Sequence, residues 1–580
     1  MQILDSAEAI EISHIRPVID SERLKPSKRL NSTARSKTLS TKIALLAIIS
    51  LSTTSFLAAQ QTAITTSHYN NLRTGWNNTE TVLTPANVNS SAFGMLYSIA
   101  LDAQIDAQPL YVPNQLITAG SYQGTYDVVY VASENNTIYA IDANSGQILL
   151  SPNFGSPVPT PLGCPTNPLV GINGTPVIDL ASSTMYVLVY TNSATGPEYT
   201  VHALDLGSLT DKVTPVVVAA MHILTDGSTF NFNATYEHQR PALAFANGNV
   251  YAAFGSFCDD ATSDSRGWLL GWQGGSLAPL AGNELFDMQA SSPKNYFLSS
   301  IWMSGWGIAA DASGNLYVVT GNSDPSGTTY DGVTDVQESV IKVSPDLSQI
   351  VDLFTPYDWP TLDQNDGDFG SGGVMLLPPI PTLTAAGAPL NLAVAAGKEG
   401  NMFLMDQEDL GGYNPDTNNV LGTFPIGACF SGESYFIDPS DKFARIVSSG
   451  GASMEIWKVQ TNPEITLTNV AASTGIFSGR GHGFFTAISS NGNTNPIIWA
   501  LGRASWKTAE MDLYAFNPDA GGSVLQPIFL STTPGTWPYR GNANQIPVVA
   551  DGRVLIASSQ QLAIFGLTDK ARKTHQRRFH

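Results

Sequence analysis

Eight times between Val128 and Leu567 the chain writes one phrase: an apolar run, a turn, a second apolar run. The first copy is "VVYVASENNTIYAIDANSGQ", Val128–Gln147. Later second halves read "VHALDLGS" from Val201, "WLLGWQGGS" from Trp268, "VIKVSPDLS" from Val340 and "MFLMDQEDLG" from Met402. "EIWKVQTNP" from Glu455, "LYAFNPDAGG" from Leu513 and "LAIFGL" from Leu562 complete the set. Such runs are too short for stable helices, and most end at Asp, Gly, Asn or Pro, so they predict strands closed by turns. Tyr130, Tyr186, Tyr251, Tyr317, Ala393, Ile446, Ile498 and Leu555 hold equivalent places, separated by 56, 65, 66, 76, 53, 52 and 57 residues.

A third run precedes most copies, as in "QPLYV", "TPVIDL", "RPALAF", "GIAAD", "GGVMLL" and "IPVVAD". A lone sheet of this kind leaves both faces poorly covered, whereas radial packing of eight sheets covers every face. The last unit supplies only three runs, and "GMLYSIAL", Gly94–Leu101, is the candidate for its missing outer strand. The expected fold is therefore all-β: an eight-bladed β-propeller of four-stranded antiparallel blades, its ring closed by an N-terminal strand. A pair of β-sandwiches fits the eightfold register poorly. The expected division is an N-terminal extension (1–59), a lead-in (60–93), the propeller (94–568) and a basic tail (569–580).

Charge and termini narrow the partners. The formal net charge is −20, a surface that repels phosphate backbones, so nucleic acid is not an expected partner. "IALLAIISLSTTSFLAA", Ile43–Ala59, follows a basic Ser/Thr-rich run, and its apolar part is short for a bilayer span but suits a secretory leader. The expectation is export to periplasm or medium with cleavage near Ala59, no membrane span in the mature chain, and a monomer. The tail from Lys570 to His580 reads as a solvated end or an anionic-surface contact. Cys164, Cys258 and Cys429 form no C-x-x-C, which argues against a zinc ribbon or attached haem.

The Y-V-x-(T/S/A) strand followed by Y-A-(I/L)-D-A-x-(S/T)-G resembles the repeat of pyrroloquinoline-quinone (PQQ) propellers. A closer resemblance, on "HYNNLRTG", "AQPLYVPN", "GINGTPVID", "EHQRPALAF", "FGSFCDD" and "IWMSGWGIAADASGNLYVVTGN", is to exported bacterial PQQ-like propeller proteins. It runs from about Thr66 to Leu567 and implies the fold. A PQQ dehydrogenase would hold quinone and calcium in its channel, with a catalytic Asp and commonly a vicinal disulfide. No Cys-Cys pair occurs here, and "AIDANSGQILL" ends in Leu149 and Leu150 where the alcohol dehydrogenases place a docking Trp.

On a propeller, the loops entering inner strands and those joining the two middle strands open on one face, where function sits on a rigid frame. That frame collects His238, Arg240, Trp302, Ser304, Trp306, Asp363, Asn365, Asp366, Asp368, Arg480 and His482 from the first kind of loop. Glu134, Asn135, Cys258, Asp259, Asn322, Asp324, Lys398 and Glu399 come from the second. His238 and Arg240 read as an anion clamp or as a tie between blades. "DQNDGDFGSGG" offers oxygens to calcium through Asp363, Asn365, Asp366 and Asp368, although Gly367 interrupts the ligand spacing; an Asx-turn loop is the other reading. Trp302 and Trp306 stack flat rings or pack blades. Lys398 and Glu399 are solvated or meet an acidic ligand; Cys258 and Asp259 suit a thiol–carboxylate site, and His482 acid–base work.

Two functions follow from the sequence. One is an exported scaffold that recognises a small molecule, glycan or protein at the channel mouth. The other is a PQQ- and calcium-dependent sugar or alcohol dehydrogenase. No nucleophile–base pair at diagnostic spacing suggests a hydrolase.

Overall fold

Strands pressed between two neighbouring sheets must be apolar on both faces, and outer strands need be so on one only. Leu316–Val319, Leu392–Ala396 and Ile138–Asp142 are buried at every residue, whereas the outer strand Thr466–Ser473 exposes five of its eight residues at least in part. The computed structural model describes residues 61–163, 168–257, 264–289, 297–324, 330–383, 389–430, 432–475, 483–502, 508–538 and 544–568. Within them the strands assemble into eight antiparallel blades around one axis, as the repeat requires.

Blade 1 runs outward as Leu110–Ile117, Gly124–Ala132, Ile138–Asp142 and Ile148–Leu150. Blade 2 is Val177–Asp179, Thr184–Ser193, Gly196–Asp205 and Val216–Val217; blade 3 is Ala244–Ala246, Asn249–Ser256, Trp268–Gln273 and Glu284–Leu285. Blade 4 is Ala309–Ala310, Leu316–Val319, Val340–Val343 and Ile350–Thr355; blade 5 is Val374–Leu376, Leu392–Ala396, Asn401–Asp406 and Gly422–Pro425. Blade 6 is Ser434–Ile437, Ala444–Ser448, Glu455–Gln460 and Thr466–Ser473; blade 7 is Phe485–Asn491, Thr494–Gly502, Asp512–Phe516 and Pro527–Ser531. The spacing positions from Tyr130 to Leu555 all fall on second strands, so the sequence register is the structural one.

Blade 8 closes the ring. Arg553–Leu567 pairs at its start with the inner strand Val548–Ala550 and at its end with Phe93–Gln104, with Gln560 left-handed (φ 59°) between the two parts. The closing strand is thus a little longer than Gly94–Leu101. Phe93 locks it, packing 5.5 Å from Trp499, 5.0 Å from Phe529 and 6.2 Å from Phe565. Two parallel additions tie blades at the rim: Gly412–Tyr413 joins the outer strand of blade 4, and Val524–Leu525 that of blade 6.

The channel is not empty. Residues 64–77 thread it and bond to the inner strands in turn. Ile64 bridges Tyr111 of blade 1, and the Thr65 carbonyl accepts from Ile178 N of blade 2. Asn71 reaches blades 3 and 4, Leu72 blade 5, Thr74 blade 6 and Gly75 blade 7. Tyr69 Oη donates to Pro547 O and accepts from Val549 N, completing the circuit at blade 8. The segment winds through left-handed residues at His68, Tyr69, Arg73 and Gly75. A Cβ on Gly75 would lie 2.5 Å from the His68 ring, so only glycine fits.

Arg73 is the hub. Its guanidinium donates to Ile308 O from Nε (3.0 Å) and Nη2 (2.5 Å), to Thr66 Oγ1 and Ser67 O (2.6 Å each), and more weakly to Leu243 O (3.4 Å). Burial alone lowers its pKa, to about 9. His68, also fully buried, is held down at about 4 by burial, against its bonds to the Arg73 and Thr486 carbonyls. Its ring is therefore neutral.

Candidate functional site

The mouth lies above this plug, and Trp306 separates the two. Met303 and Ser304 both take left-handed backbone (φ 45° each) in the tight turn before it, and the Trp306 N–H closes that turn on Met303 O. The Trp306 ring sits 3.9 Å from His68, lies where a Cβ on Gly373 or Gly432 would go, and donates its N–H to Val374 O (3.2 Å). Trp302 covers Gly321 and donates to Ser256 O (3.1 Å), joining blade 3 to blade 4. With 6% and 1% exposure, Trp302 and Trp306 are packing groups with little face to offer a ligand, and Ser304 is buried with them.

Blades 4 and 5 build the larger polar cluster. Helix Trp359–Asn365 ends at Asp366, whose left-handed backbone (φ 54°) suits a short polar side chain. The chain then turns through Asp368 into Phe369–Ser371. Lys398 projects from the Gly397–Gly400 turn between the middle strands of blade 5 and meets Asp366 Oδ1 and Asp368 Oδ2, each at 2.5 Å. Burial opposes its charge, but Asp368 and Asp366 outweigh that and hold the ammonium well above its ordinary pKa. Asp363 turns the other way, accepting from Ser323 N (3.0 Å) and, at 3.5 Å, from Gln337 Nε2; burial pushes it up to about 7.

Glu338, which the sequence pattern did not single out, completes this cluster. Its Oε2 accepts from Phe369 N (2.6 Å), and burial, with Asp368 and Asp363 nearby, raises its pKa well above the carboxylate range. Its Oε1, Gln337 Oε1 and Asn322 Oδ1 are buried without a hydrogen-bond partner among the described residues. Glu433, also unanticipated, stands at the entry to blade 6 with both oxygens in that state, and burial pushes it up to about 8. Each sits directly before an apolar strand, in "QESVIKV" and "GESYFI". A carboxylate at the edge of a buried run is the signal that could have found them.

A second cluster sits on blades 1 to 3. Glu134 accepts from Gly171 N (2.6 Å) and from Asn173, and bonds to Asp106. Burial and then Asp106 raise Glu134 well above its usual range. Arg240 faces Asp106. His238, fixed by the short pairing of Glu237–His238 with Ser256 and Gly255, stacks on Phe257 at 4.4 Å. Burial and then the Arg240 charge hold it at about 3.

The anticipated residues thus divide. Trp302, Asn322, Lys398, Asp363, Asp366 and Asp368 meet on blades 4 and 5, and His238, Arg240 and Glu134 on blades 1 to 3. Asn365 is exposed, Asn135 points outward to Asp102, and Glu399 caps its own turn through Asn401 N. Arg480, His482, Cys164, Cys258 and Asp259 lie outside the described residues, as do 1–60 and the tail. As for a metal, Asp366 and Asp368 converge on the Lys398 ammonium, while Asp363 and Asn365 face elsewhere. Among the described residues no group of three or more His, Cys, Asp or Glu is placed to hold a metal ion.

The architecture has solved counterparts. The structure matches quinohemoprotein alcohol dehydrogenase from Comamonas testosteroni with a TM-score of 0.56 at 12% identity, covering 87% of this chain and 80% of that one. It matches ADHIIG of Pseudomonas putida HK5 (TM-score 0.56, 13% identity, 87% and 80% covered) and a europium-containing methanol dehydrogenase (0.55, 11%, 87% and 98%). What they share with this chain is the propeller fold. At these identities the likeness is one of fold. No protein-family model and no curated protein matches the chain.

A flat, tricarboxylate quinone with calcium asks for an open indole face, cations for its carboxylates and an oxygen cage for the metal. The described residues do not fit that pair: both indoles are packed, Lys398 is committed to Asp366 and Asp368, and no cage forms.

Proposed function

We propose that this propeller is an exported binding scaffold whose mouth takes a small molecule, glycan or protein segment rich in hydrogen-bond donors. The observation that carries the reading is the partly exposed Lys398–Asp366 pair at the mouth, with the unsatisfied acceptors Asn322 Oδ1, Gln337 Oε1 and Glu338 Oε1 buried behind it. Leaving a buried polar group unpaired costs about 1–3 kcal/mol, so such groups mark places where a ligand or ordered water supplies the partner. A donor-rich ligand fits acceptors and carboxyl groups; an anion does not.

The second reading, a PQQ- and calcium-dependent sugar or alcohol dehydrogenase, draws its support from the fold likeness alone. Titration calorimetry of the purified chain separates the two, using amino sugars, polyamines, neutral sugars and short peptides in one arm and PQQ with calcium in the other. Saturable binding in the first arm, weakened tenfold or more by Asn322→Leu, is expected. Stoichiometric PQQ binding with dye reduction by an alcohol or sugar would reverse the ranking. Export with cleavage near Ala59 and a monomeric state belong to the same proposal; N-terminal sequencing of the secreted chain and its sedimentation check them.

A further inference from the structure

The face opposite the mouth carries two adjoining cavities built partly from the plug. The first, about 390 Å³, lies between blades 3, 4 and 5; Asn71, Asn247, Asp311, Gln407 and Glu408 give it polar walls. The second, about 330 Å³, lies between blades 5 and 6 and is lined by Trp76, Tyr435, Phe443, Ile437 and the Pro378–Pro381 run. Both have Pro379 as a wall, so they are neighbouring lobes on one face of the propeller. Each lobe alone falls in the range of about 300–1,000 Å³ usual for ligand sites.

We propose that these two lobes together bind a neutral oligosaccharide. The first lobe presents acceptors. Asn71, Asn247 and Gln407 each use the amide nitrogen inside the fold, donating to Phe245 O, Gly314 O and Leu392 O. Asn71 Oδ1, Asn247 Oδ1, Gln407 Oε1 and Glu408 Oε2 accept no hydrogen bond among the described residues, although all four residues line the cavity. Asp311 is already engaged by Ser313 N, Asn315 and Tyr317. Hydroxyl groups are the natural donors to such a wall. The carboxylates of Asp311 and Glu408 in this lobe are offset by Lys442 lining the other lobe and Lys458 over one face of Phe443 there, so neither sign of ligand charge is favoured across the two.

The second lobe presents rings. Trp76 is half-buried, with its indole N–H donated to Ser490 Oγ (2.7 Å) and Tyr435 set edge-on at 5.6 Å. Phe443 remains 43% exposed beside them. Ring faces next to prolines accept the C–H face of a pyranose, while a sugar in the neighbouring lobe directs hydroxyls at the acceptors. Apolar surface on one side of a shared wall and hydroxyl acceptors on the other match the two kinds of surface that one sugar chain displays.

The test uses the whole chain and tryptophan fluorescence with calorimetry, titrating neutral oligosaccharides of glucose, mannose, xylose or N-acetylglucosamine, and a uronate oligomer as the charged control. Saturable binding of a neutral oligomer is expected, weakened about tenfold by Phe443→Ala and several-fold by Glu408→Ala. Both residues are solvent-exposed, so their variants fold. Asn322→Leu at the mouth is expected to leave this binding unchanged. The proposal falls if no neutral oligomer binds, if the uronate binds more tightly, or if Asn322→Leu abolishes binding while Phe443→Ala and Glu408→Ala do not. The last result would place the sugar at the mouth, so this inference and the mouth reading fail separately.

Discussion

Arg73 and Glu338 are both charged-type side chains with essentially no exposure, yet Arg73 makes five hydrogen bonds and the Glu338 Oε1 makes none. The same contrast separates their surroundings. In the plug, His68, Tyr69, Asn71 and Arg73 all bond to blade backbone or to the plug itself. At the mouth, Asn322, Gln337, Glu338 and Glu433 hold acceptors that nothing among the described residues meets. A saturated buried polar group serves the fold, and an unsatisfied one is a standing cost that a binding partner can remove. The axis thus changes at Trp306 from a plug whose polar groups, Ser67 Oγ and Asn71 Oδ1 apart, bond within the fold to a mouth that gathers unmet acceptors.

Removing the hub of the saturated end should have the largest effect. Arg73→Met deletes bonds to Ile308 O, Thr66, Ser67 O and Leu243 O and strands buried carbonyls on blades 3 and 4. We expect a loss of about 5 kcal/mol or more in denaturant unfolding, or no folded product. A loss under about 1 kcal/mol would mean that the plug is dispensable. Next comes Lys398→Met, which leaves Asp368 buried without its ammonium and should cost about 3 kcal/mol. Adding Asp368→Asn should recover much of that; no recovery would break the assignment of Lys398 to a carboxylate clamp.

The pH dependence sharpens the comparison. Glu433, pushed up to about 8 by burial, is protonated in the folded protein at neutral pH but ionised when unfolded. Its folded pKa is raised, so its contribution is fully present below the unfolded value near 4.5 and is lost as pH rises through about 8. Asp363, at about 7, and Glu399, at about 8, act in the same direction. Glu433→Gln should therefore gain on the wild type by about 2 kcal/mol between pH 6 and pH 8, read from unfolding midpoints. Equal slopes in the two proteins would show that Glu433 is ionised in the fold.

The repeat made the architecture legible because a blade's middle strands are apolar on both faces, and that signature survives in "LYVV" and "LAVAA" as plainly as in "IYAID". The missing outer strand was legible for the same reason of closure. The plug was not: "HYNNLRTG" is polar and turn-rich, and only the fold shows that its bonds run to the inner strands of six blades. Trp302 and Trp306 illustrate the limit at the mouth. Their loop enters the inner strand of blade 4, but whether an indole faces the channel or a neighbouring glycine depends on Gly321, Gly373 and Gly432, which are separated from it in sequence. Glu338 and Glu433 escaped notice because one carboxylate beside an apolar run has no spacing to read.

The smallest effect on stability should come from the residue on which the mouth reading most depends. Asn322 is 4% exposed and its Oδ1 is unsatisfied, so the folded chain already bears the cost of desolvating that oxygen. Replacing it with leucine removes the unmet acceptor and keeps the volume, so the unfolding midpoint should stay within about 1 kcal/mol of wild type or rise. Binding at the mouth should nonetheless weaken tenfold or more, because a ligand donor that met Oδ1 would then face a methyl group. That pairing, stability kept and affinity lost, is the reverse of what Arg73→Met should show. Were Asn322→Leu to unfold the protein instead, Asn322 would serve the fold as Arg73 does, and the contrast between the plug and the mouth would not hold.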